Sequence, residues 1–328
     1  MGPPDELARP DDGDRAWVAP EAVPTIESPP ITTVAPILAT HDTEVATAAA
    51  PGVDDEVRLP VPLRPMTMGD LLDGGFNVLR ARPRIVLGLA AVFVVPVQVV
   101  VAWFNRHALE DLETLLDQTL SNAGARPEGG VGNPWASVLG TIGTSVGQAL
   151  IGASLALLVV AWYSGEQPEG REVLRRLKPR AWSLLGGWLF VHLLELAGLF
   201  ALGIASLVVM TIYLVTAPAI AVEGLGPFKG MSRSSSLAGR RFWPVLGFAV
   251  VSGLVATVLG QILGLLPQLL GLLLGPDFGW IALGVGTIIT QMVTATVVGA
   301  ATALLYLDLR IRREGMDVAW AADRLFPA

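Results

Sequence analysis

The 328-residue chain has no cysteine, only three histidines and three tyrosines, and just 16% charged residues. The missing cysteine excludes a disulfide framework, thiolate catalysis, iron–sulfur clusters and cysteine-based zinc sites together. Soluble domains carry roughly 25% charged residues, so the scarcity of charge excludes an ordinary soluble enzyme. The first thirty residues lack both a basic start and an apolar run, so no cleavable signal peptide is expected and the first spanning segment acts as the insertion signal. There is no phosphate-cradling loop, nucleophile elbow or HExxH run. The basic stretch LDLRIRREG is too short and too poor in aromatics for a nucleic-acid surface. No catalytic residue, metal site, cofactor or nucleic-acid partner is therefore expected.

What the chain has in abundance is apolar sequence, with 52% hydrophobic residues and a mean hydropathy of +0.57. These residues fall in long runs. The expected fold is all-α, a polytopic membrane protein of six transmembrane helices with short interfacial helices and a disordered N-terminal tail. The charge is uneven. Residues 1–62 hold twelve acids against Arg9, Arg15 and Arg58, together with eleven prolines and no helical or strand period. Such a segment buries too little apolar surface to offset its ordering entropy, so it reads as a disordered acidic cytoplasmic tail.

Thr67 stands three residues before Asp70, close to a capping box, and Met68, Leu72, Phe76 and Leu79 share one helical face, which implies a short interfacial helix. The domain over 63–320 then holds spans at about 85–104, 136–163, 183–200, 203–222, 244–267 and 280–306, at roughly 20 residues per crossing. A basic segment over 308–328 follows. Residues 242–307 are expected to hold two spans interrupted by GPDFG around Asp277, with Pro267 kinking its helix and leaving Gln268 to Gly275 at the interface. The connecting segments test the count independently. Seventeen basic residues lie in 63–84, 164–180, 223–241 and the C-terminus, against Arg106 and Arg126 in the one long external loop. The positive-inside rule then places both termini in the cytoplasm, in the plasma membrane, and turns 181–222 into a hairpin reversing near Gly198 to Gly203. Leu109, Leu112, Leu116 and Leu120 give the external loop an amphipathic helix. The glycine pairs 143/147, 260/264 and 271/275, each four apart, favour close helix packing.

Three stretches, RPMTMGDLLDGGFNVLRARPR, APAIAVEGLGPFKGMSRSSSLAGRRFWPVLG and LLYLDLRIRREGMD, carry a likeness to a known family. Over about residues 63–320 the chain resembles actinobacterial membrane proteins grouped with the glycerophosphoryl diester phosphodiesterase membrane domain. In family members bearing that name the phosphodiesterase chemistry resides in a separate TIM barrel, which needs roughly 250 residues, and the loops here offer no room for one. The resemblance therefore implies a membrane domain without that activity, working with other envelope proteins.

Two polar groups stand out. His192 and Glu195 lie three apart on one helical face near the middle of the third span, where an ionisable residue costs about 2.5–3.5 kcal/mol. They are candidates for a proton relay or for holding a substrate headgroup. The structural alternative is a hydrogen bond to a neighbouring span, for which Gln98, Gln148, Gln261 and Gln291 are available. At the cytoplasmic rim Glu223, Lys229, Arg233, Arg240 and Arg241, interleaved with Phe228, Met231, Phe242 and Trp243, are candidates for an anionic lipid headgroup, or else set topology and snorkel. The expected function is a non-enzymatic scaffold or accessory subunit of a cell-envelope assembly. Its partners are membrane lipids, envelope proteins or further copies of itself. The alternative is a small transporter or lipid-handling protein using His192 and Glu195. A polar cavity converging on that pair favours the alternative; consumption of both groups by neighbouring spans favours the scaffold.

Overall fold

A computed structural model describes residues 65–121, 133–200 and 203–315, without the side chains of 118–121. The acidic tail and the C-terminal stretch from Met316 lie outside the described residues. Within them the chain is helical throughout and contains no strand. The helices are α1 (Met68–Ala81), α2 (Pro83–Phe104), α3 (Ala108–Ser121), α4 (Pro134–Tyr163), α5 (Gly170–Leu177), α6 (Ala181–Phe200), α7 (Ile204–Tyr213), α8 (Thr216–Glu223), α9 (Pro227–Ala238) and α10 (Phe242–Glu314). Five helical stretches are long and apolar enough to cross a membrane: Pro83–Phe104, Pro134–Tyr163, Gly170–Phe200, Ile204–Glu223 and Pro227–Glu314.

Local signals explain where the helices start and stop. Thr67 caps α1 reciprocally with Asp70: the Asp70 amide donates to Thr67 Oγ1 at 3.2 Å and the Thr67 amide donates to Asp70 Oδ2 at 2.9 Å. Asn133 caps α4 by accepting from the Trp135 amide at 2.9 Å, with Pro134 at the first helical position. Pro218 lies in the first turn of α8, where its missing N–H costs nothing. Its ring would clash with the Leu214 carbonyl of a continuous helix, and α7 ends just before that residue. The buried hydroxyl of Ser234 takes up the Ile212 carbonyl next to this break, donating at 2.8 Å.

The 73-residue α10 doubles back on itself. Gly275 has φ 73° and ψ −176°, a region essentially reserved for glycine. Residues on its two sides meet in antiparallel register, Gly271 against Leu283, Pro267 against Gly286 and Gly260 against Thr290. The first arm stays helical past Pro267, and the break falls at Gly275, the first residue of the GPDFG stretch where the interruption is expected. The reason is local: nothing forces the chain out of the helix at Pro267, whose ring packs against Gly286, whereas Gly275 and Pro276 together form the turn. A second reversal joins α6 to α7, with Gly203 at φ 73° and Gly198 so near the Ser206 backbone that a Cβ would come within 2.7 Å of its nitrogen.

The core gathers α1, α2, α4, α8 and the second arm of α10. Leu89, Ile151, Leu155, Leu158, Leu304 and Tyr306 are all buried to within a few per cent. By contrast α2, α6, α7 and the first arm of α10 turn large apolar side chains outward, with Leu273 82% exposed. Helix α1 is not free on a surface. Its Leu71, Gly74, Gly75 and Val78 are buried, and Gly75 lies so close to α10 that a Cβ would come within 2.7 Å of the Val297 carbonyl oxygen.

The basic segments meet at one end of the bundle. Arg82 bonds Gln167, Arg180 bonds the Ala221 carbonyl, Arg313 bonds the Ser236 carbonyl and Arg233 joins Glu223 to Glu314. The opposite end joins Trp103 edge-on to Trp280 at 6.2 Å, and the Asn133 amide donates to Asn105 Oδ1 at 3.1 Å.

Candidate functional site: an intramembrane-type cavity and a charged rim

A cavity of about 370 Å³ lies between α4, α6, α7, α8 and the second arm of α10. Its volume is at the lower end of the roughly 300–1,000 Å³ typical of small-molecule sites. The break between α7 and α8 borders it, through Tyr213, Leu214 and Thr216. Most of the wall is apolar; α4 and α6 contribute the polar Ser145, Gln148, Trp188, His192 and Glu195, and Tyr213, Thr216 and Thr302 lie on the other helices. His192 is eleven residues into α6, about 16 Å along the helix from its basic end. The cavity is therefore set well inside the bundle.

His192 is fully engaged. Its Nδ1 lies 3.0 Å from the Trp188 carbonyl, which only accepts, so Nδ1 carries a proton. Ser145 Oγ accepts from Trp188 Nε1 at 2.8 Å and lies 2.7 Å from His192 Nε2. The indole of Trp188 tilts over the imidazole with ring centres 4.7 Å apart. Both ring nitrogens of His192 thus have a hydrogen-bond partner. The partner is Ser145 and not a glutamine: Gln98 donates to Thr144 Oγ1 at 3.2 Å, and Gln148 lines the cavity.

Glu195 is not engaged in the same way. Its nearest charged or polar partner is His192 Nε2 at 3.8 Å, beyond hydrogen-bonding reach, and the carboxyl faces the cavity. Across the cavity Thr216, 5% exposed, has a buried hydroxyl without a partner. The sequence pair is thus brought together, but only half of it is consumed by a neighbouring helix.

The rim residues divide differently from expectation. Glu223 accepts from Arg233 Nε at 2.8 and 3.0 Å and from the Tyr306 hydroxyl at 2.7 Å. Arg233 also reaches Glu314, which accepts from Arg310 Nε at 2.8 Å. Glu223 and Arg233 are therefore engaged in a network joining α8, α9 and α10. Lys229, Arg240 and Arg241 remain exposed, without an ion pair among the described residues, beside the exposed Phe228 and Trp243.

Sequence reasoning missed a second network. Asp308, 4% exposed, accepts from the Met66 amide at 2.7 Å and from Arg312 Nε at 2.8 Å, while Arg312 donates to the Met66 carbonyl at 2.7 Å. Its local signal was present, because Asp308 and Arg312 are four apart on one helix, but the buried backbone of Met66 is a long-range partner.

A family model described as a domain of unknown function, DUF7847, matches residues 193–309. The matched stretch begins inside α6, contains Glu195 and Glu223, and ends one residue past Asp308. No curated protein and no solved structure matches the chain.

Proposed function

We propose that this chain is a non-enzymatic, six-span protein of the plasma membrane, both termini cytoplasmic, that holds a small ligand in its central cavity as a transporter or lipid-handling protein. The observation that carries the reading is the cavity itself: it converges on His192 and Glu195, and it leaves Glu195 and Thr216 without hydrogen bonds. A purely structural pair would have both members satisfied by neighbouring helices. The helix break beside the cavity fits the same reading, since interrupted helices border the sites of many membrane transporters.

The count of six rests on the reversal at Gly275, which makes two crossings of α10, and the orientation rests on the convergence of the basic segments at one end. At that end Lys229, Arg240 and Arg241 are available to anionic lipid headgroups, each worth about 1 kcal/mol near the surface. The absence of a catalytic role rests on the sequence, which offers no nucleophile with a base and no chemistry-bearing motif.

Gly152 provides the test. It lines the cavity, and a Cβ built there meets nothing within 4 Å. Gly152→Leu should therefore fill the cavity and leave the helix intact. The ligand reading expects a stably folded variant, by thermal melting in detergent, that fails to complement a deletion strain. Full complementation by the filled variant would overturn that reading and return the scaffold role to first place.

A further inference from the structure

The polar groups around the cavity differ in kind, and their difference selects a ligand chemistry. The titratable side chains in the wall are His192, Glu195 and Tyr213. Both ring nitrogens of His192 are taken up by Ser145 and the Trp188 carbonyl, and its Nε2 stays 3.8 Å from the Glu195 carboxyl, beyond hydrogen-bonding reach. The cavity wall contains no lysine or arginine. The nearest arginines on the helices that form it, Arg180 and Arg310, are occupied by the Ala221 carbonyl and by Glu314 and Tyr306. Glu195 is thus an acid on a largely apolar wall with no lysine or arginine beside it among the described residues. A carboxylate placed so is costly unless an opposite charge joins it.

Building on the ligand reading above, we propose that the cavity is a site for small organic cations with an apolar body, in which the ligand's ammonium group pairs with Glu195. Trp188 and Tyr213 contribute aromatic surface to the same wall, and an ammonium near such rings gains further attraction. The apolar remainder of the wall, including Val191, Met210 and Ile220, takes the hydrocarbon part. An anionic ligand is excluded on the same grounds, because it would meet the carboxyl of Glu195 without a compensating charge.

The test uses the full chain in lipid nanodiscs and radiolabelled benzyltrimethylammonium as the probe. Its neutral carbon isostere, neopentylbenzene, serves as competitor. The proposal expects saturable binding that weakens by roughly tenfold or more in Glu195→Gln. Glu195→Asp should retain most of it, and neopentylbenzene should compete at least about tenfold less well than unlabelled probe. Thermal melting of each variant confirms that the fold survives. Unchanged binding in Glu195→Gln, or equal competition by the neutral isostere, would overturn the cation assignment and leave a ligand cavity in place. Absence of saturable binding to the unaltered chain would also overturn it, whereas the ligand reading stands or falls separately on Gly152→Leu.

Discussion

The difference between His192 and Glu195 is a difference in accounting for hydrogen bonds. A buried polar group that forms its bonds contributes modestly to stability, and one left unpaired costs about 1–3 kcal/mol. His192 makes its bonds, whereas the half-buried Glu195 carboxyl and the buried Thr216 hydroxyl have none among the described residues. The i, i+3 spacing placed His192 and Glu195 together from sequence alone. Ser145 was not foreseeable, because which residue of α4 meets α6 depends on the register of two helices 47 positions apart in sequence. The same holds for Asp308, whose partner Met66 is 242 residues away. Replacing Asp308 with alanine should strand the Met66 amide and the Arg312 guanidinium together. The expected cost is about 2–4 kcal/mol, at the upper end for an unpaired group because one partner is charged. A fall in detergent melting temperature measures it, and Arg312→Met in the same background should cost far less than it does alone. Additive losses would contradict the coupling.

At the scale of elements, apolar length and charge-free runs were enough to announce helices, and the capping box at Thr67 and Asp70 announced the start of α1. Both reversals were legible: the GPDFG stretch marked the turn inside α10, and Gly198 to Gly203 marked the one between α6 and α7. Pro267 does not end the first arm, which runs on to Gly275, because a proline interrupts a helix only where the neighbouring backbone lets it. Nor did periodicity show that α1 packs on α10, since an amphipathic face looks alike whether it covers lipid or another helix. The four-apart glycines also proved unequal. Gly143 and Gly147 face Val97 and Phe93 of α2, whereas Gly264 meets only Gln268 of its own helix. Gly275 carries the sharpest element-scale prediction. With φ at 73° and ψ at −176°, any side chain there is strained, so Gly275→Ala should destabilise by about 1–3 kcal/mol although nothing crowds the added carbon. The control is Gly253→Ala, another open position but with ordinary helical dihedrals, where stability should hold or rise slightly. Equal melting temperatures for the two variants would refute a backbone origin.

For the whole molecule, the arrangement places an apolar girdle around a cavity, with the charged networks of Glu223 and Asp308 gathered at one end and the Trp103–Trp280 pair at the other. Both networks tie the second arm of α10 to other segments, α8 and α9 in one case and the chain before α1 in the other. The proposed six-span orientation requires the basic end to face the cytoplasm, which assigns each charged network and each crossing to a side of the membrane. The absence of cysteine makes this directly measurable, since any introduced thiol is the only one in the chain. Thr114 lies in α3 beyond the Trp pair and Ser232 lies in α9 at the basic end, both exposed. In intact cells a membrane-impermeant maleimide should label Thr114→Cys, and it should label Ser232→Cys only after the membrane is permeabilised. Labelling of Ser232→Cys in intact cells, or protection of Thr114→Cys in them, would contradict the six-span orientation.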